Sequence, residues 1–174
     1  MQFNINKTIL ILTITVLISC GESNSNSVSS NSCDGMLMKA LESSIQGING
    51  LAIKFSNEKY RECGVSFKKG DIDFQVDLEL TEMGTALDMK KVGITEMTHF
   101  ALEEQVISFY KEQENITNVG DKAIYYRRNN SHQISVLSGN NSFVVRTINW
   151  NTRGGDKDIT VNVAKAIVKE LKAH

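Results

Sequence analysis

The chain has 174 residues and carries 19 Lys and Arg against 20 Asp and Glu, a formal net charge of −1. That length suits one domain with a real hydrophobic core. The near-neutral balance excludes non-specific nucleic-acid binding, which needs a basic footprint, and no internal repeat is visible.

Lys7 is the only charge in residues 1–19, and it precedes Thr8 to Ile18, a run of Ile, Leu, Val and Thr with no ionisable group. A short positive segment followed by about 7–15 apolar residues is a signal peptide. A membrane-spanning helix needs about 20 apolar residues, more than this run supplies. The run ends in Leu17-Ile18-Ser19-Cys20. These four residues resemble the lipobox of bacterial lipoproteins, with an aliphatic residue three before the Cys and a small residue just before it. The resemblance implies that the Cys20 thiol receives a diacylglycerol, that the peptide bond before it is cut, and that the new amine is acylated. Three chains exceed the two signals that stable anchoring takes. Gly21, rather than Asp, implies delivery to the outer membrane, so the expected location is its periplasmic face. The alternative is a signal peptide cut elsewhere, with Cys20 merely nearby.

Residues 20–32 read as the lipidated Cys and a tether. Glu22 to Ser32 is Ser and Asn with one Val and one acid, a composition that buries no apolar surface and stays disordered. Residues 33–174 form the single expected domain. Two cysteines remain in it, Cys33 and Cys63. In an exported protein such a pair reads as one disulfide, and closing a loop of about 30 residues stabilises a fold by about 3–4 kcal/mol. The alternatives are a metal site completed by His99 or His132, or a redox thiol pair. No C-x-x-C or H-x-x-x-H spacing supports either, so no metal and no cofactor is expected.

Asp34 to Gln46 reads as a helix, with Leu37, Leu41, Ser44, Ile45 and Ile48 at helical spacing. Ser32 or Asp34 can cap its start and Gly47 can end it. Leu51 to Phe55 reads as a short strand. Arg61 to Leu80 reads as a hairpin: Cys63, Val65 and Phe67, then Ile72, Phe74, Val76, Leu78 and Leu80, alternate with polar residues, so one face is core and the other meets water. A turn at Lys69-Gly70 predicts Phe67 opposite Ile72, Val65 opposite Phe74, Cys63 opposite Val76, Lys68 opposite Asp71 and Glu62 opposite Asp77. A short helix is expected at Ala86 to Lys90. Thr98 is expected to cap a second helix running to about Lys111, with Leu102, Val106, Phe109 and Tyr110 as its buried stripe.

A turn at Asn118 to Lys122 leads into three strands, Ala123 to Arg128, His132 to Ser138 and Phe143 to Trp150. Asn129-Asn130 and Gly139-Asn140-Asn141 supply their turns. Ala123, Tyr125, Ile134, Val136, Val145 and Thr147 share one face; Ile124, Tyr126, Leu137, Val144, Ile148 and Trp150 share the other. Both are fairly apolar and want cover. Asn151 to Gly155 is a loop without a phosphate-binding pattern. The last helix carries Val163, Ile167 and Leu171 as its stripe. The fold class is therefore α+β: an antiparallel β-sheet flanked by helices, sandwich-like, with one disulfide.

This order of elements is similar to that of small envelope lipoproteins of the PsbP-like superfamily. So are Cys33 at the first helix, Cys63 in the following strand, and Val119-Gly120-Asp121-Lys122-Ala123 opening the meander. The resemblance covers about residues 33 to 172. It implies adaptor and binding roles without a shared catalytic motif, and it carries over no functional residue.

There is no G-x-S-x-G motif, no paired carboxylates stand next to an obvious base, and no His has a plausible nucleophile close by in sequence. The best candidate partner-binding surface lies on the meander, where Tyr126, Arg128, Arg146 and Trp150 project from one face and Arg127 and His132 from the other. Arg, Tyr and Trp are enriched in binding hot spots. The competing reading is that the aromatics are core beneath a helix, with the arginines reaching past them to water. The expected function is a non-catalytic binding or adaptor module, held at the membrane by its lipid and engaging an envelope protein. The alternatives are an envelope inhibitor or immunity-type protein blocking a toxin or hydrolase, and an enzyme using His99 or His132.

Overall fold

The computed structural model describes residues 32–59, 61–82, 96–149 and 156–173, with the side chains of residues 81, 82, 96–99 and 102 outside the description. Among these residues the chain forms β1 (Ile48–Asn57), β2 (Glu62–Lys69), β3 (Ile72–Glu82), β4 (Gln113–Asn115), β5 (Lys122–Arg128), β6 (Ser131–Ser138) and β7 (Asn141–Asn149). The helices are α1 (Cys33–Ser44), α2 (Glu96–Ile107) and α3 (Lys157–Lys172). All seven strands join one antiparallel sheet in the order β1-β2-β3-β7-β6-β5-β4. The signal peptide, Cys20, the short helix at 86–90, Trp150 and the 151–155 loop all lie outside the described residues.

The helices α1 and α3 lie side by side on one face, called inner below. Ser32 caps α1, its hydroxyl accepting from the Gly35 backbone N–H at 3.2 Å. Asp156 caps α3, its carboxylate accepting from the Ile159 N–H at 3.0 Å. Each helix turns one apolar stripe inward: Leu37, Ala40 and Leu41 from α1, and Val163, Ala164 and Ile167 from α3. They meet Val65, Phe67, Val76, Leu78, Ile134, Val136, Phe143 and Val145 in one continuous core. Cys33, the first residue of α1, is bonded to Cys63 in β2, with 5.8 Å between their Cα atoms, inside the ordinary range for a disulfide.

The first hairpin has the expected faces but different partners. Lys69 stands opposite Ile72, Phe67 opposite Phe74, Val65 opposite Val76 and Cys63 opposite Leu78. The turn residues are Gly70 and Asp71, with Gly70 at φ +62°. A two-residue turn that puts its positive φ first wants Gly in the first position, and a Lys69-Gly70 turn would put it second. The slip is two residues, so the strand period of 2 leaves every side chain on its expected face. Lys68 therefore pairs with Asp73 at 3.4 Å rather than with Asp71, and Glu62 faces Glu79 rather than Asp77.

Two further elements differ. β1 runs from Ile48 to Asn57, well beyond the expected Leu51 to Phe55. Its pairing with β2 is irregular at two places, and Gly50 takes φ +64°. Those irregularities scramble the alternation that would have marked the longer strand. α2 begins at Glu96, so Thr98 lies within its first turn and does not cap it. Its buried face is Phe100 and Ile107, with Tyr110 beyond its end; Val106 is 57% exposed and Phe109 86%. The helix sits one position round from its expected stripe because Glu103 occupies the seam. The buried Ser135 hydroxyl donates to the Glu103 carboxylate there, which makes a polar residue part of the contact.

Candidate functional site

α2 covers part of the other, outer face, where Phe100 and Ile107 pack on Ile124 and Tyr126, with Leu137 and Tyr110 alongside. The Tyr110 and Tyr126 rings stack with centroids 5.4 Å apart. Tyr126 is 7% exposed, and burial, with the Glu103 carboxylate next in effect, pushes its phenol well above the ordinary range. Tyr126 is thus packed under a helix and offers a partner little surface. The accessible members of the expected cluster are Arg128 and Arg146, while Trp150 lies outside the described residues.

One row of side chains crosses the outer face from strand to strand: Phe55, Gly64, Asp77, Arg146, Gln133 and Tyr126 are successive cross-strand partners. Gly64 is small of necessity. A Cβ there would stand 2.3 Å from the Phe55 ring and 2.8 Å from the Asp77 carboxylate. Arg146 divides the row. On one side its guanidinium approaches Asp77 at 3.8 Å, beside an acidic cleft of about 230 Å³ that includes Glu62, Glu79 and Phe55. Burial raises the Asp77 pKa, against the Gln75 amide, which donates to it at 2.7 Å, and the charge of Arg146.

On its other side Arg146 borders an open cleft of about 370 Å³, shared with Arg128, Asn129, Asn130, Ser131 and Gln133, and with Ile148 as the apolar contributor. Arg128 and Arg146 come from β5 and β7, with β6 between them. Gln133 donates to the Ser131 hydroxyl at 2.8 Å, and that hydroxyl donates to the Arg128 carbonyl at 2.9 Å. This chain of bonds fixes the strip between the two guanidiniums. Asn129 takes φ +56° at the β5–β6 turn, and Asn129 and Asn130 of that turn border the cleft. Among the described residues no carboxylate lines the cleft. Ser131 and Gln133 are site residues that sequence reasoning missed. The available signal was the polar alternation Ser131, Gln133, Ser135 down one face of an otherwise apolar strand.

His132 and Arg127 project from the inner face, as expected. The Tyr125 hydroxyl lies 2.6 Å from His132 Nδ1. Burial raises the Tyr125 pKa and lowers that of His132. At neutral pH the phenol therefore keeps its proton and the imidazole is uncharged, and the two share one hydrogen bond whose direction follows the ring tautomer. Arg127 and Lys157 add to the lowering at His132, opposed by Asp156 and Glu112. A depressed histidine binds its proton less readily in the folded chain than in the unfolded one. Its contribution to stability is intact above the ordinary value of 6.5 and is lost as pH falls through and below it. Thermal melts between about pH 8 and pH 5 should thus show a steeper loss for the native chain than for His132→Asn; equal slopes would contradict the assignment.

His99 lies in α2 with its side chain outside the description. Among the described residues no group of three or more His, Cys, Asp or Glu is placed to hold a metal ion, and no helix is long and apolar enough to cross a membrane. Comparison with protein-family models, with curated proteins and with solved structures finds no match to this chain.

Proposed function

We propose that the chain is a lipid-anchored envelope protein whose domain binds a protein partner through the open part of its outer sheet face, acting as an adaptor rather than a catalyst. The observation that carries this reading is the unequal cover of the sheet. Among the described residues the inner face is covered by two helices, whereas the outer face presents a row of charged and aromatic groups with a cleft on either side of Arg146. Leu17-Ile18-Ser19-Cys20 supports the anchor. The Cys33–Cys63 bond supports an oxidising location, since such bonds persist outside the reducing cytoplasm. Arg146 in the row and Arg128 beside it belong to a residue type enriched at binding hot spots.

The test is site-directed photocrosslinking of the full chain in intact envelopes. A photoreactive residue at Gln75, on the outer face, should give a discrete adduct, and one at Lys165, on the exposed side of α3, should give none. No adduct from Gln75, or the same adduct from both positions, would overturn the reading.

A further inference from the structure

We propose that the cleft between Arg128 and Arg146 is an acid-recognition site that takes a Glu or Asp side chain, with its flanking peptide, from the partner; this rests on the binding-module reading above. Two guanidiniums from different strands border one open space, and among the described residues no carboxylate pairs with Arg128. Arg146 is only partly engaged. Its contact with Asp77 is long at 3.8 Å, and its buried Nε has no hydrogen-bond partner. A planar guanidinium fork matches a carboxylate in two-point geometry.

The remaining groups narrow the ligand class. Asn129 and Asn130 each carry both a donor and an acceptor, which suits peptide groups beside the acid, whereas a bare anion would use donors only. The volume of about 370 Å³ falls at the small end of ordinary ligand pockets and exceeds what a lone oxyanion fills. Ile148 offers an apolar patch for the methylene groups of the acidic side chain. Asp77, on the far side of Arg146, competes for the same guanidinium from within the chain and so sets how strongly it is offered to a ligand.

The experiment uses the full chain in detergent micelles, titrated with three probes while Ser131 and Gln133 amide and Arg Nε–H resonances are followed by NMR. The probes are a blocked Ala-Glu-Glu-Ala peptide, its Ala-Gln-Gln-Ala counterpart and inorganic phosphate. The acidic peptide should shift these resonances saturably, and the Gln peptide should bind about tenfold or more weakly. Arg128→Gln and Arg146→Gln should each weaken binding about ten- to a hundredfold, the range for losing a charge-assisted hydrogen bond. Asp77→Asn should strengthen it. Arg128 is exposed at a turn, so its variant tests the site without risk to the core. Equal binding of the two peptides, tighter binding of phosphate than of the acidic peptide, or shifts that survive both arginine changes would overturn the proposal. A crosslinked partner that persists unchanged in Arg128→Gln would remove acid recognition and leave the binding-module reading standing. Peptide binding without any crosslinked partner would do the reverse.

Discussion

Changing Cys33 and Cys63 together to Ala should lower the free energy of unfolding by about 3–4 kcal/mol, the chain-entropy value for a loop closed across 30 residues. Domains of this size hold roughly 5–15 kcal/mol in total, so the loss is a large fraction of what keeps the fold together. The bond ties α1 to β2, which follow one another in the chain only through β1, whose residues are mostly exposed. Without it, the start of α1 is held by its Ser32 cap and its apolar stripe alone. Urea unfolding should show a lower midpoint, with a steeper slope because the denatured chain without the cross-link exposes more surface. A change within about 0.5 kcal/mol would show that the bond contributes little. Both half-cystines are 0% exposed. A small thiol must reach a sulfur to exchange with it, so dithiothreitol should release no free thiol from the native domain and should reduce it readily in denaturant.

A chain carrying Cys20→Ser should take up no labelled fatty acid, retain residues 1–19 and lose its lipid-dependent partition into a detergent phase. The resemblance to lipoproteins makes the sulfur both the atom that receives the diacylglycerol and the mark for the cut, so one atom governs all three outcomes. The magnitude is large because each buried methylene contributes about 0.8 kcal/mol and several chains are involved. Mass spectrometry of the native protein is the direct measurement. A mature chain that begins at residue 20 and carries acyl mass is expected; an unmodified Cys20 would remove the anchor from the proposal.

The inner half of the fold was legible because it obeys single periods. The stripes Leu37–Leu41 and Val163–Ile167 and the alternation Cys63–Val65–Phe67 each repeat cleanly, and two leftover cysteines gave the disulfide. The misreadings have local causes. Placing Gly70 second in its turn instead of first moved the hairpin partners by two. In α2 the polar Glu103 lies in the buried seam because Ser135 waits for it, a match between distant residues that no local window displays. β4 went unseen because Gln113 to Asn115 are three exposed residues, too few to display an alternation. At the candidate site, Arg128 and Arg146 were visible by parity along β5 and β7. Whether Tyr126 was surface or core depended on where α2 lies, which strand alternation does not encode.

The irregular pairing of β1 bears on how copies behave when they are crowded. β1 is one margin of the sheet and the three-residue β4 is the other. A long, flat margin is a template on which a neighbouring chain can add its own strand. The two kinks in β1 deny a newcomer a straight ladder, and β4 is too short to hold one. Molecules concentrated in a single plane can therefore collide side by side without zippering into ribbons.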